Sequence, residues 1–384
     1  MQELSKEHLE ALIQCTDINT VDYADLVEWV RNEPGISQFA PDGISRMDPR
    51  NRWMTIYNAA RSKRPHDNRP DKSGEDVRPE QMTSTKPCPI CEGKTTRPID
   101  VASLKHGFTF INKNLFPCFF NTGDDTATAV VPSDSLQLDA GSPMGNHYLQ
   151  WTSTMHENDW FNMDEDDLLT VLQRLAAFER YLLTSSAGQM PSSQKWYGQS
   201  GTHGFVLMMK NYGAQVGGSL VHGHQQITHS NVMSRAAFEN WQFQQRHQIT
   251  FSHHIQQVTP ESLCLKDFGE ATLAVPYFMR RPMGAMLLVK DDSKKLLADL
   301  NDRECRALVR GISQMVRVYH RLMPAMGREI AYNVLFHTGP GAGIYVEFLP
   351  HTQETGGMEQ LGLWVCQDTP EGSASVLREY LGFE

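Results

Sequence analysis

The stretch GFVLMMKNYGAQVGGSLVHGHQQITH (204–229) decides the fold, because it predicts two strands joined by a glycine-rich turn. GFVLMMKN (204–211) and SLVHGHQQITH (219–229) carry the apolar and β-branched residues that are typical of strands. The turn between them runs from Gly213 to Gly218, where glycines let the chain reverse. We therefore expect two strands that lie side by side in a sheet.

The same plan occurs a second time further along the chain. AYNVLFHT (331–338) and GIYVEFLPHT (343–352) predict paired strands around the turn Gly339 to Gly343. A long amphipathic helix precedes each pair, at 165–185 and at 301–323. This repetition predicts an internal duplication. We expect an α+β fold with antiparallel sheets and packed helices in two pseudo-repeated halves.

The predicted organisation has three parts. A helical N-terminal extension covers residues 1–43, the first half covers 44–245, and the second half covers 246–384. The halves differ at one point, since the first carries His222-Gly223-His224 where the second carries Tyr345-Val346-Glu347. We therefore expect the first half to hold the chemistry and the second half to complete the pocket.

Three polar residues of the second predicted strand, His222, His224 and Gln226, are spaced by two. Alternate side chains of a strand share a face, so this spacing predicts that all three project together. An imidazole can attack phosphorus if one nitrogen is unprotonated and the other is held by an acceptor. A neighbouring amide can stabilise the phosphoryl oxygens. The alternative is that these are ordinary half-buried polar residues of a histidine-rich chain.

Cys88 and Cys91 form the only CxxC pair among seven cysteines. Two thiolates at this spacing suit tetrahedral zinc, and without a second CxxC the remaining ligands would be histidines. His156 and His222 are the candidates. A redox pair is an alternative, although no helix pattern follows the motif as in thioredoxin-like proteins. Two unrelated free cysteines are the other alternative.

Arg61 and Arg64, in the segment ARSKRPHD, are three residues apart. Two arginines beside a proline can form a fork for phosphate oxygens. Solvated surface positions are the more common use of such a pair. The pattern therefore predicts a phosphate contact only in combination with the other motifs.

Composition excludes several classes of protein. The 384 residues carry a formal net charge of -10, which disfavours nucleic acid as a partner. No apolar run is long enough to cross a bilayer, and the N-terminus lacks the regions of a signal peptide. We expect a cytoplasmic protein that does not bind a membrane, with reduced cysteines and small anionic substrates.

Four blocks in order resemble the galactose-1-phosphate uridylyltransferase family of the histidine-triad superfamily. They are DPRNRWMTIYNAARSKRPHD (48–67), KPCPICEGK (86–94), NLFPCF (114–119) and KNYGAQVGGSLVHGHQQI (210–227). The resemblance covers roughly residues 44–384 and is weaker after residue 245. It implies a duplicated histidine-triad-like fold, a homodimer, and zinc held entirely by protein ligands.

The resemblance also implies roles for individual residues. His224 would be the nucleophile, and Gln226 would bond the transferred phosphoryl group. The implied zinc ligands are Cys88, Cys91, His156 and His222, with His147 as the alternative to His156. Residues matching phosphate- and active-site-lining positions are Asn211, Gly217 and Ser219. Residues matching nucleotide-binding positions are Arg61, Arg64 and Asn114, and Glu359 matches an acidic residue that contacts the hexose.

The implied function is nucleotidylyl transfer between a nucleotide sugar and a hexose 1-phosphate, with UMP as the default group. The reaction would be ping-pong, through a nucleotidyl-histidine intermediate. One alternative is a phosphorylase that splits a nucleotide sugar or dinucleoside polyphosphate with inorganic phosphate. A non-catalytic zinc-braced nucleotide-binding protein is the other.

Three departures from the family pattern bear on the mechanism and the substrate. Gly223 replaces the proline that usually separates the two active-site histidines. Tyr345 and Glu347 replace a His-x-His pair that holds a second metal in some members, so we expect no second metal. Gln353 lies near the position of a sugar-contacting lysine, and this leaves the sugar open.

Overall fold

The computed structural model describes residues 2–41, 43–48, 53–63, 87–121, 128–133 and 141–382. Arg64 and most of the polar segment at 62–86 lie outside these residues. Within the described part of the chain, no helix is long and apolar enough to cross a membrane.

Ten of the strands form one continuous antiparallel sheet. Its strands are β3 (Pro98–Ser103), β4 (Phe108–Lys113), β5 (Gly145–Trp151), β6 (Phe205–Tyr212), β7 (His224–Ser230), β8 (Cys264–Asp267), β9 (Ala271–Ala274), β10 (Ala285–Val289), β11 (Tyr332–His337) and β12 (Tyr345–Pro350). The other two strands, β1 (Ser45–Met47) and β2 (Met54–Ile56), pair with each other.

The strand order shows the duplication. It runs β3-β4-β5-β7-β6 and then β11-β12-β10-β9-β8, so the second five strands repeat the first five in the opposite spatial direction. β6 and β11 pair at the centre, where Asn211 lies opposite Asn333. The expected α+β fold with two pseudo-repeated halves is confirmed, and the halves share one sheet.

Helices pack on this sheet and close the core. They are α1 (Lys6–Leu12), α2 (Tyr23–Arg31), α3 (Glu165–Ser185), α4 (Gln194–Tyr197), α5 (Arg235–His247), α6 (Phe251–Val258), α7 (Asp302–Ala325), α8 (Gly357–Gln360) and α9 (Pro370–Leu381). The long helices α3 and α7 contact each other and match the predicted segments closely. Asn301 begins α7 by accepting hydrogen bonds from two backbone amides of its first turn.

The sequence pattern did not predict β3, β8, α5, α6 and α9. The polar composition of α5, RAAFENWQFQQRH, hides its amphipathic pattern. The predicted division at 245/246 falls inside α5, and this boundary stays a prediction.

The N-terminal extension is part of the main core. Leu26, Val27 and Val30 of α2 are almost fully buried in it. The hydroxyl of Tyr23 lies 3.0 Å from Nδ1 of His229, a buried residue of β7. The extension therefore folds onto the strand that also carries His224.

Candidate functional site

The strand that carries the histidines begins at His224, two residues later than the shared-face interpretation requires. His222 lies before β7, so it is outside the strand, although its ring lies 5.4 Å from that of Trp151, which also contacts the His224 ring. The His222 carbonyl accepts a hydrogen bond from Nδ1 of His224 at 2.8 Å. His224 and Gln226 remain on one face of β7.

The His222 ring instead belongs to a cluster with two sulfurs and a second imidazole. Cys88, Cys91, His156 and His222 each offer one ligand atom, and these atoms lie within 4.8 Å of one another. Nδ1 of His222 lies 3.6 Å from Sγ of Cys88 and of Cys91. Nδ1 of His156 lies 3.5 Å from Sγ of Cys91. Such a group could hold a metal ion.

The distances in this Cys/His cluster suit zinc. Zn–S and Zn–N bonds meeting at a tetrahedral angle place sulfur and nitrogen roughly 3.6 Å apart, close to the separations found here. Nε2 of His222 donates to the Ser153 carbonyl at 2.8 Å, which leaves Nδ1 as the ligand atom. His147, the alternative ligand, lies elsewhere, with its Nδ1 3.3 Å from Sγ of Cys118.

The His224 side chain is arranged as a neutral nucleophile. Its Nδ1 must carry the proton, because its partner is the carbonyl oxygen of His222, which only accepts. Nε2 is therefore the unprotonated nitrogen. Burial lowers the pKa of His224 to about 4, and the ring lies 4.9 Å from that of Trp151. This is the arrangement that attack on phosphorus requires.

A cavity of about 520 Å³ lies over this face of the sheet. Four of the predicted site residues line it, namely His224, Gln226, Ser219 and Asn114. Asn114 is also engaged with the protein, since its Nδ2 lies 3.2 Å from Nε2 of His147. The cavity has a volume suited to a small-molecule ligand.

Among the residues that the structure describes, the other predicted substrate-binding residues do not line this cavity; Arg64 lies outside them. Arg61 donates to the carbonyl of Phe116, a cavity-lining residue, at 2.6 Å. Asn211 accepts from Asn333 at 2.8 Å, and Gly217 ends the short helical turn that follows β6. Glu359 is half-buried, and its carboxylate accepts a hydrogen bond from the amide of Gly356 at the start of its own segment. Their roles toward a substrate stay predictions.

Sequence reasoning missed several residues that line the cavity. Glu33 and Pro34 come from the N-terminal extension, and Trp151 and Leu149 come from β5. The Asn-Glu-Pro-Gly turn at 32–35 is the only sequence signal near the first two residues. That signal predicts the end of a helix and contains nothing about a ligand.

A buried ion pair contacts the chain at the start of β7. Nζ of Lys210 lies 2.6 Å from Oδ2 of Asp159, and each side chain is 3% exposed. The same ammonium donates to the His224 carbonyl at 3.2 Å. The Asp159 carboxylate packs against Gly223, where an added Cβ would lie 2.6 Å from Cγ of Asp159. Glycine thus replaces the family's proline at a position where this chain has no room for a side chain.

Substituting Gly223→Ala should lower the free energy of unfolding by about 1–3 kcal/mol, because the new methyl group displaces a buried carboxylate. It should also slow any reaction at His224, since Asp159, Lys210 and the His224 carbonyl form one chain of contacts. Urea unfolding and a rate measurement test this. Gly357→Ala is the control, because a Cβ there meets open space. Equal free energies of unfolding for the two variants would contradict the clash with the Asp159 carboxylate.

The ten-stranded sheet with its packed helices is the fold that the resemblance to the galactose-1-phosphate uridylyltransferase family implied. Among solved structures, a uridylyltransferase superposes with a TM-score of 0.63 at 17% identity, covering 88% of this chain and 99% of that one. No family model matches the chain, and no curated protein sequence matches it.

Two plant structures have the same fold. An ADP-glucose phosphorylase from Arabidopsis thaliana, with bound ADP-glucose, gives a TM-score of 0.58 at 16% identity, covering 87% of this chain and 98% of that one. A GalT-like protein from Arabidopsis thaliana gives 0.56 at 15% identity, with the same two coverages. At these identities, the similarity establishes the fold alone.

Proposed function

We propose that this protein is a nucleotidylyltransferase that uses His224 as a covalent nucleophile toward a nucleotide sugar. The observation that carries the proposal is the fixed tautomer of His224, whose Nδ1 proton is held by the His222 carbonyl while Nε2 stays free. His224 and Gln226 line one cavity, so nucleophile and amide are positioned for the same phosphoryl group. A transferase and a phosphorylase among the structures of this fold are consistent with this chemistry.

The proposed reaction has two half-reactions. Nε2 of His224 attacks the α-phosphorus, a P–N bond forms, and the bond to the sugar phosphate breaks with its electron pair leaving on the sugar 1-phosphate. An oxygen of a second phosphate compound then attacks the same phosphorus and displaces Nε2. The Gln226 amide donates to the phosphoryl oxygens as charge develops. Positioning supplies most of the rate enhancement in such transfers.

Zinc would be held by Cys88, Cys91, His156 and His222, and it would have a structural role. All four tetrahedral positions would be taken by protein atoms, so none is left for a substrate. The metal would fix the backbone at His222, whose carbonyl orients the His224 ring.

The acceptor separates two versions of the proposal. The resemblance implies a hexose 1-phosphate as acceptor, UMP as the transferred group and a homodimer in the cytoplasm. The phosphorylase of the same fold makes inorganic phosphate the alternative acceptor. Both versions share the first half-reaction, so the intermediate tests the proposal and the second step distinguishes the versions.

We expect the intact wild-type protein to gain the mass of one nucleoside monophosphate when it is incubated with a nucleotide sugar and no acceptor. UDP-glucose, UDP-galactose and ADP-glucose are the donors to compare by mass spectrometry. Adding glucose 1-phosphate or inorganic phosphate to the labelled protein then identifies the acceptor. If the zinc-loaded, folded protein gains no mass with any donor, the non-catalytic alternative is favoured.

A further inference from the structure

The N-terminal extension contributes a carboxylate to the catalytic cavity. Glu33 follows α2 and lines the same cavity as His224. Its Oε2 lies 3.0 Å from Nζ of Lys113, the last residue of β4. The Lys113 side chain is 1% exposed and that of Glu33 is 9% exposed, so the ion pair is buried, and both of its residues line the cavity.

The extension holds this carboxylate in place from several sides. The Lys113 ammonium also donates to Oε1 of Gln14 at 3.0 Å, which is a second residue of the extension. Arg31 donates to the carbonyl and the side chain of Asn121, both at 2.9 Å. The Glu33 carboxylate is therefore held in one position in the cavity wall. A charged group held in this way makes a directional hydrogen bond, which discriminates between ligands.

One oxygen of this carboxylate is available to a ligand. Oε2 is used by Lys113, whereas Oε1 accepts no hydrogen bond from any residue that the structure describes. The Lys113 ammonium is engaged by Oε2 of Glu33 and by Oε1 of Gln14. At Oε1 of Glu33 the cavity therefore presents a hydrogen-bond acceptor.

The surroundings of Glu33 suit a nucleobase better than a sugar. Pro34, Leu115 and Phe116 line the cavity beside it, and such apolar surfaces stack on flat rings. Lys113 ends β4, two strands away from β7, and lies level with Ile227, three residues beyond His224, so the two positions are roughly 14 Å apart in the sheet. The His224 side chain, a phosphoryl group, a ribose and a base together span that separation. The sugar of the donor would extend in the other direction.

We infer that Glu33 determines the base specificity and selects a base with an exocyclic amino group: adenine, cytosine or guanine. An amino group donates to Oε1 without repulsion. Uracil presents its single N–H between two carbonyl oxygens, and these face the carboxylate with like partial charge. Discrimination by one charge-assisted hydrogen bond is about tenfold to a hundredfold. The inference rests on the proposed transfer to His224 and replaces the default UMP with another nucleotide.

The test compares nucleotidylation rates with ADP-glucose, GDP-glucose, CDP-glucose and UDP-glucose. The wild type should react with at least one amino-bearing donor tenfold or more faster than with UDP-glucose. Glu33→Gln should bring that ratio close to one, because an amide both donates and accepts. Glu28→Gln, on the exposed side of α2, should keep the wild-type ratio. If Glu33→Gln is unstable, the double variant with Lys113→Met removes both members of the pair.

The possible outcomes separate this inference from the proposed function. Wild-type protein labelled fastest by UDP-glucose, or an unchanged ratio in Glu33→Gln, overturns the role of Glu33 while transfer to His224 stands. A Glu33→Gln variant that alters discrimination between ADP-glucose and ADP-mannose, but not between bases, assigns Glu33 to the sugar and also overturns the inference. Absence of labelling with every donor contradicts the proposed function itself.

Discussion

His224→Ala will gain no mass from any nucleotide sugar, and its kcat/KM will fall at least about 10⁴-fold. The alanine removes the only atom proposed to bond phosphorus, Nε2, and no other imidazole can replace it from β7. The next histidine on that strand, His229, is buried and bonded to Tyr23 and to the His203 carbonyl. Intact-protein mass spectrometry and steady-state kinetics measure both effects.

The matched control for this variant is His106→Ala. His106 is an exposed histidine in the turn between β3 and β4, so its loss removes the same chemical group away from the cavity. It should label as the wild type does. Both variants should keep their zinc and melt within a few degrees of the wild type. A mass increase that persists in His224→Ala would mean that the nucleophile is another residue.

Cys88→Ser will lose the bound metal and much of its stability. Cys88 is buried, and its sulfur lies against His222 in the Cys/His cluster. Structural zinc contributes about 10–16 kcal/mol to small zinc-binding peptides, so loss of one of four ligands should cost at least about 3 kcal/mol here. Zinc content per chain and denaturant unfolding measure the two effects. Labelling of His224 should slow as well, because His222 would no longer be fixed.

Cys366→Ser is the control, since Cys366 is half-buried and lies outside the Cys/His cluster. It should keep one zinc per chain and wild-type unfolding. The redox interpretation of the CxxC pair makes the opposite prediction. A zinc-free protein with a Cys88–Cys91 disulfide and unchanged stability would support that interpretation and contradict the metal site.

The elements with strong local patterns could be predicted from the sequence. α3 and α7 follow helical periodicity over more than five turns each, β6 lies between two glycines, and β11 is followed by a glycine-containing turn. The continuity of the sheet across β6 and β11 could not be predicted. It depends on side-by-side pairing of strands more than a hundred residues apart, for which no local pattern exists.

Some residues of the candidate site could also be predicted from local sequence patterns, and others could not. The cysteine spacing and the two histidines are local signals, and the family resemblance joined them to His156. The position of His222 before the strand has no local signal, and the neighbouring Gly223 packs against Asp159, a residue 64 positions earlier. Glu33 was missed because only its pairing with Lys113, 80 residues later, brings it to the cavity.

The contact between Tyr23 and His229 has a consequence for biosynthesis, because 206 positions separate the two residues. At about 5–20 residues per second, a ribosome makes His229 roughly 10 to 40 s after Tyr23. During that interval the N-terminal extension can pack on β3 to β5, but the Tyr23 hydroxyl has no His229 to contact. Docking of the extension is therefore complete only after β7 has been made, and slower translation delays this last contact.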